Sequence, residues 1–346
     1  MLRRSSKTTH RPDVLSGVFA SRVRSVLAAV SLFLCLRVPA PLLVSAQQPS
    51  SDDDYRLRVE TDLVVLHATI TDKDSRPVTD LTQDAFRVFE DKVEQKIKIF
   101  KREDIPVSVG ILVDNSGSMR DKRKGVNAAA LKFVQSSHPL DEVFIVNFNE
   151  EAFLDADFTD SIPLLEEGLE KIDARGGTAL YDAVDMSLAH MKERATLDKK
   201  VLIAITDGED NASRISLEQI VQAVERANVM IYTVGLLSGE NSRSDRRSKR
   251  ALEEISKASG GAVFFPKDPG DVLSVANAIA DDIRNQYVIA YTPSNLEKDG
   301  SFRRVEIKVN APRRGRLYVR TRTGYYAQEL SLSPPEEASE SPGSSG

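Results

Sequence analysis

Between residues 107 and 284 the sequence alternates short apolar segments with longer amphipathic ones, and this alternation constrains the fold more than any other feature. The apolar segments are nearly continuous, which is typical of parallel strands covered on both faces. The segments between them carry apolar residues at helical spacing, as at Val126, Ala130 and Phe133. The pattern predicts an α/β fold with a doubly wound, mostly parallel sheet over residues 105–285. Its predicted strands are 107–113, 143–148, 201–206, 229–235 and 262–265.

The segments on either side of this region read as β structure. Residues 56–104 are rich in β-branched residues and turn signals, and residues 286–327 return to alternating apolar and polar positions. Neither segment alone has enough strands to bury a sheet on both faces. We therefore expect the N-terminal and C-terminal segments to form one β-sandwich-like domain, with the α/β domain inserted between them.

The first 46 residues resemble an export signal. Seven basic residues and one acid accompany the uncharged run 26–36, and Ala46 ends a small-residue pattern suited to cleavage. We predict a cleavable signal peptide over 1–46, a linker over 47–55 and export to the periplasm, cell surface or medium. The alternative is a retained membrane anchor, although Arg37 and two prolines interrupt the apolar run. Residues 328–346 have the composition of a disordered tail.

Charge and cysteine content narrow the classes of partner. The chain carries a net charge of −5, and removal of the basic leader leaves −11. This balance argues against nucleic-acid binding and is compatible with cation binding. The single cysteine, Cys35, lies in the leader, so the mature chain would have no disulfide.

Five oxygen-bearing side chains stand at the predicted carboxyl ends of strands or at the start of a helix. They are Asp114, Ser116, Ser118, Thr178 and Asp207. Ligands of doubly wound sheets bind at this edge. Carboxylates with hydroxyls and waters are ligands that Mg²⁺ prefers. Alternate residues of an extended turn can converge on one point, and Gly117 allows the tight bend. We predict a divalent cation site, with Mg²⁺ preferred over Mn²⁺ or Ca²⁺.

These residues resemble the metal-ion-dependent adhesion site (MIDAS) of the von Willebrand factor A domain family, whose fold is Rossmann-like. The family pattern D-x-S-x-S reads DNSGS at residues 114–118, and its distant threonine and aspartate correspond to Thr178 and Asp207. The flanks 77–91, 286–295 and 324–326 resemble the acidobacterial-type subgroup of exported bacterial proteins. The resemblance covers about residues 58–326 and implies a metal site more firmly than it implies a ligand.

Other interpretations of these motifs were weighed. The DNSGS segment could be only a helix cap, which needs one such residue rather than three. A hydrolase with Ser116 as nucleophile lacks a recognisable triad, and a phosphotransferase with Asp114 as nucleophile would want a second aspartate at position 116. We predict that the chain is not an enzyme. Residues 209–211 are interpreted as exposed loop polarity, with support of the metal ligands or contact with a partner as the alternative. The basic run 243–250 predicts a solvated loop leading into a helix, with binding to an acidic partner surface as the alternative.

The predicted function is that of an exported, metal-dependent protein-binding module. A partner presenting Asp or Glu would complete the coordination of the cation. The alternatives are an envelope assembly or chaperone-like factor that uses the same site, and a metal that only stabilises the fold. Contact with a membrane is expected only if the leader is retained, and the sequence does not predict an oligomeric state.

Overall fold

The computed structural model describes residues 63–102, 104–171, 174–237, 242–312 and 314–327. All of them belong to one compact unit of the chain. The predicted leader, the linker and the predicted tail lie outside the described residues. Within those ranges, no helix combines the length and apolar character needed to span a bilayer.

Four strands precede the α/β region. They are β1 (Val64–Thr71), β2 (Phe86–Glu90), β3 (Val93–Gln95) and β4 (Ile97–Lys101). Strand β1 alternates buried and part-exposed residues over its first half. This alternation indicates one core face and one outer face.

A six-stranded sheet forms the centre of the α/β region. Its strands are β5 (Val107–Asp114), β6 (Glu142–Phe148), β7 (Ala152–Thr159), β8 (Lys199–Thr206), β9 (Met230–Gly235) and β10 (Val263–Phe264). The order is β10-β9-β8-β5-β6-β7, and only the β6–β7 pair is antiparallel. The predicted mostly parallel sheet is confirmed. The antiparallel edge strand β7 was not predicted, because its sequence, AFLDADFT, mixes acids with apolar residues.

Helices cover both faces of this sheet. They are α1 (Arg123–Gln135), α2 (Ile162–Glu170), α3 (Leu180–Arg194), α4 (Leu217–Arg226), α5 (Arg243–Ser259) and α6 (Val272–Arg284). Residues of α1, α2 and α6 share one buried cluster, and residues of α3, α4 and α5 share the other. The fully buried strand β5 separates the two clusters, so its continuous apolar sequence serves both.

The basic run 243–250 is not a loop, so that prediction was wrong. It is the first half of α5, and the Ser242 hydroxyl caps the helix by accepting a hydrogen bond from Asp245 N at 2.9 Å. The helix is amphipathic, with Ser248, Ala251 and Leu252 on its buried side. The charged residues occupy its outer face, where i,i+4 pairs such as Arg250 and Glu254 lie 2.7 Å apart.

Four further strands follow α6 and pair with the first four. They are β11 (Tyr287–Tyr291), β12 (Phe302–Val309), β13 (Tyr318–Arg320) and β14 (Gly324–Tyr326). One sheet has the order β13-β1-β11-β4 and the other β14-β12-β2-β3. A single buried cluster contains residues of both sheets. The expected pairing of the N-terminal with the C-terminal segment is therefore seen, with every pair antiparallel.

Polar contacts join the β sheets to the α/β region. The Arg320 guanidinium on β13 forms an ion pair with Asp282 on α6, and the Tyr232 hydroxyl on β9 donates to the same carboxylate. Asp282 and Tyr232 are both buried. Burial is the first cause of a pKa of Tyr232 well above its usual value, and the Asp282 charge is the second.

His67 on β1 gives this region a predicted acid sensitivity. Its Nδ1 is enclosed without a hydrogen-bond partner, and burial, then the charges of Lys199 and Arg322, lower the pKa of His67 to about 3. The unfolded chain binds a proton near pH 6.5 and the folded chain does not, so stability present above pH 6.5 is lost as the pH falls toward 3. We expect a loss of about 1 kcal/mol per pH unit.

Urea denaturation at pH 7 and pH 5 measures this effect. His67→Gln should lose less stability than the wild type between the two pH values. His138→Gln is the matched control, since it removes a histidine from the α/β region. Equal pH dependence of the wild type and His67→Gln would contradict the prediction.

Candidate metal centre

Three loops meet at the carboxyl ends of the central strands. The first is 114–119 after β5, the second is 175–179 before α3, and the third is 206–213 after β8. Strands β5 and β8 are parallel neighbours, so their ends lie at the same edge of the sheet. The first two loops are joined by Gly117 N donating to Gly176 O at 3.2 Å. The second and third are joined by Asn211 N donating to Thr178 O at 3.0 Å.

Three of the five predicted ligands form a continuous chain of side-chain oxygens. The Ser116 and Ser118 hydroxyls lie 3.2 Å apart, and the Ser118 hydroxyl donates to Asp207 Oδ1 at 2.7 Å. These contacts bring the end of β5 against the end of β8. Ser116 and Asp207 are buried and Ser118 is exposed, so the chain of oxygens runs to the surface.

Asp114 lies at the buried end of the same cluster. Its Oδ1 accepts a hydrogen bond from Ser116 N at 2.7 Å, and its Oδ2 accepts one from the Thr206 hydroxyl at 2.6 Å. These bonds fix both carboxylate oxygens in orientation. Thr206 was not predicted as part of the site, and its only signal in the sequence is its position immediately before Asp207.

Thr178 is placed by backbone contacts with the third loop. Its N–H donates to Asn211 Oδ1 at 2.9 Å, and its carbonyl accepts from Asn211 N and Ala212 N. Its hydroxyl lies beside Gly208, the residue after Asp207, on the side where any larger residue would place its Cβ. The structure therefore brings all five predicted residues to one place, although they come from three distant parts of the sequence.

The electrostatics of the site follow from the burial of two acids. Burial raises the pKa of Asp114 to about 6, and the nearby Asp207 charge adds to the rise. The hydrogen bonds from Thr206 and Ser116 act in the opposite direction, but they do not offset the burial. Ionised Asp114 is thus under-compensated by the residues around it, which is the condition that a bound cation relieves.

The donor set fits a small, hard dication. Neighbouring ligands of an octahedral Mg²⁺, with bonds of about 2.1 Å, lie about 3 Å apart. The Ser116–Ser118 and Ser118–Asp207 oxygen separations of 3.2 and 2.7 Å have this size. Across the described ranges, no three His, Cys, Asp or Glu side chains come together as a metal site. A cation here would therefore depend on the hydroxyl ligands as well as the two carboxylates.

A lysine that was not predicted as part of the site reaches into this cluster. The Lys122 ammonium lies 2.5 Å from Asp207 Oδ2 and donates to Leu236 O at 3.3 Å. Lys122 immediately precedes α1. Its signal in the sequence was only a basic residue four positions after Ser118, within the run DKRK.

The polar residues after Asp207 organise the third loop. Asp210 Oδ2 accepts hydrogen bonds from Tyr181 N at 2.9 Å and from the Ser213 hydroxyl at 2.6 Å. Glu209 lies 2.7 Å from the Arg247 guanidinium in an ion pair. Asp210 and Asn211 thus have local structural partners in addition to the loop polarity predicted for them.

Part of the central domain is similar to a known family. Residues 109–209 match the family model of the von Willebrand factor type A domain. This segment contains all five residues of the cluster. The structure agrees with this type of fold in its mixed, mostly parallel six-stranded sheet flanked by helices.

Relatives in sequence and structure are distant. An uncharacterised protein of Borreliella burgdorferi is 23% identical over 180 residues, covering 49% of this chain and 50% of that protein. Calcium-activated chloride channel regulator 1 of Mus musculus is 24% identical over 200 residues, covering 56% of this chain and 20% of that protein. The chain thus spans half or less of the length of these curated relatives.

A solved structure with a loose likeness is that of proximal thread matrix protein 1 from the mussel byssus, with a zinc-occupied MIDAS motif. It has a TM-score of 0.45 and 15% identity, covering 56% of this chain and 50% of that chain. A likeness of this size does not transfer the zinc site to this chain.

Proposed function

We propose that this chain is a protein-binding module that holds a divalent cation on Asp114, Ser116, Ser118, Thr178 and Asp207. An acidic side chain of the partner would complete the coordination. The observation that carries the proposal is the run of hydrogen-bonded groups from buried Asp114 through Ser116 to exposed Ser118. A metal site that only stabilises the fold is expected to be enclosed by its protein ligands, whereas here the ligand residue Ser118 is exposed to solvent.

The residues have distinct roles in this proposal. Asp114 and Asp207 supply two negative charges, which leaves a dication nearly neutral, and the three hydroxyls add ligands without adding charge. A bound dication supplies an electrophilic position that a carboxylate oxygen can occupy. Thr206 and the Ser116 N–H hold the Asp114 carboxylate, and Asn211 holds the backbone of Thr178. Mg²⁺ is the proposed cation, with Mn²⁺ and Ca²⁺ as the alternatives.

A non-catalytic role is part of the proposal. The Ser116 hydroxyl lies 3.2 Å from the Ser118 hydroxyl, and both oxygens of the neighbouring Asp114 carboxylate already accept hydrogen bonds from the Thr206 hydroxyl and the Ser116 N–H. This arrangement suits a ligand set better than an activated nucleophile. The partner is proposed to be a protein.

Export and subgroup membership belong to the same proposal. The basic segment and apolar run before Ala46 support a cleaved signal peptide. The flanking motifs named above support membership of the acidobacterial-type subgroup. An assembly or chaperone-like role would use the same site, and identification of the partner would distinguish it from adhesion.

Capture of partners from a cell-envelope extract tests the function. The immobilised full chain should retain a partner in 5–10 mM Mg²⁺ and release it in EDTA, because the cation forms part of the contact. Asp207→Asn should capture nothing above background. Asp121→Asn is the matched control, because Asp121 is exposed and lies just after the loop 114–119. Capture that persists in EDTA would favour a purely structural metal and contradict the proposed function.

A further inference from the structure

The Lys122 ammonium occupies one side of a predicted metal ligand. It contacts Asp207 Oδ2, while Asp207 Oδ1 accepts the Ser118 hydroxyl. Both oxygens of this carboxylate therefore have partners within the chain. The Asp207 side chain is 0% exposed and the Lys122 side chain is 25% exposed. The lysine thus reaches from the surface to a buried carboxylate.

The two aspartates of the site differ in how their charge is balanced. Within the described ranges, Asp207 has an ion pair with Lys122, whereas Asp114 is held by neutral groups, the hydroxyls of Thr206 and Ser116 and the Ser116 N–H. Two ionised carboxylates in a buried cluster repel each other. The Lys122 ammonium therefore neutralises one of the two negative charges of the cluster, that of Asp207.

Lys122 also links two elements across the mouth of the site. It precedes α1, and its ammonium bonds both Asp207 after β8 and Leu236 O after β9. These contacts hold the third loop against the start of α1. The chain's own cation therefore helps to hold the ligand cluster together.

We infer that Lys122 is an internal competitor of the divalent cation, an inference that rests on the proposed metal site. It preassembles the metal-free site and raises the concentration of cation needed to load it. A dication that coordinates Asp207 must share or displace the ammonium, and the positive charge that stays nearby opposes its binding. Lys122 thereby determines the affinity of the site without serving as a ligand.

The test compares Lys122→Met with the wild type by calorimetric titration with Mn²⁺ and Mg²⁺ and by thermal unfolding in EDTA. Methionine keeps the length of the side chain and removes the charge. We expect the cation to bind about tenfold more tightly or better. A positive charge at contact range weakens the binding of a dication by at least that factor, and the substitution removes this charge. We also expect a lower unfolding midpoint in EDTA, because the loss of the ammonium leaves Asp207 uncompensated.

Lys124→Met is the matched control, because Lys124 is exposed on α1 and its loss makes the same change in net charge. It should leave both measurements within error of the wild type. Lys122→Gln, which keeps a hydrogen-bond donor, covers the case in which the methionine variant fails to fold. Tighter binding by either Lys122 variant, with Lys124→Met unchanged, supports the inference.

Each failure has its own signature. Equal or weaker cation binding by both Lys122 variants, in a wild type that binds the cation, would overturn the role of Lys122 and leave the metal site standing. No cation binding by any of the four proteins would overturn both the proposed site and the inference. If a Lys122 variant binds the cation and the wild type does not, the competition by Lys122 is supported. The proposal that the wild-type chain itself holds a cation would then be overturned.

Discussion

Asp114→Asn is expected to abolish the stabilisation of this protein by Mg²⁺ while leaving the metal-free protein at least as stable as the wild type. The two effects have opposite signs because a single carboxylate causes both. Asparagine keeps the shape and one acceptor oxygen but removes the charge that a cation requires. The measurement is thermal unfolding at pH 7, in EDTA and in Mg²⁺.

The metal-free half of this prediction follows from the pKa of Asp114. Burial raises that pKa to about 6, above the value of 3.8 expected without burial. Ionisation therefore costs the folded state free energy as the pH rises from 4 to 6, and the full cost applies at pH 7. The shift corresponds to about 3 kcal/mol as an upper value, from which the altered hydrogen bonds of asparagine subtract.

The metal-bound half follows from mass action. A ligand at 100 times its dissociation constant stabilises the folded state by about 2.7 kcal/mol. For a chain of this size that raises the unfolding midpoint by roughly 4–5 °C. Asp114→Asn should show no such rise, and Asp121→Asn should show all of it. A variant that keeps the full response to Mg²⁺ would remove Asp114 from the site.

Glu90→Leu is expected to cost about 3–5 kcal/mol of stability, because it leaves a buried arginine without its carboxylate. Glu90 and Arg303 are each 3% exposed and lie 3.5 Å apart. The hydroxyls of Tyr291 and Tyr325 both donate to Glu90 Oε2 at 2.7 Å. Burial, then the bond to Glu90, raises the pKa of both tyrosines.

This cluster joins the two ends of the chain. Glu90 lies on β2 of the N-terminal segment. Its partners Tyr291, Arg303 and Tyr325 lie on β11, β12 and β14 of the C-terminal segment. The loss should therefore destabilise the pairing of the two segments. Urea denaturation gives the free energy, and Glu94→Leu is the control, since Glu94 lies on β3 with 56% of its side chain exposed.

The control Glu94→Leu should change the free energy of unfolding by about 0.5 kcal/mol or less, as is usual for substitutions at exposed positions. If Glu90→Leu were as stable as Glu94→Leu, the buried carboxylate would not be holding the segments together. The response of either variant to Mg²⁺ should remain, because the cluster is separate from the residues around Asp114.

Local sequence was sufficient for the central strands and most of the helices. Continuous apolar runs such as β5 can be buried only between two layers, and helical spacing as at Val126, Ala130 and Phe133 needs one apolar face. The edge strand β7 and the basic start of α5 escaped this reasoning. Each is half-exposed, so its polar residues hide the pattern that burial imposes.

The sequence by itself determined which residue types stand at the ends of the strands, because the local apolar pattern predicts where each strand ends. Only the tertiary structure decided what contacts them: Thr206 on Asp114, Asn211 on Thr178 and Lys122 on Asp207. Each contact joins residues at least 33 positions apart in the chain. Sequence spacing does not predict contacts at that range. The parallel pairing of β5 with β8 brings the ends of the two strands together and so decides which residues meet.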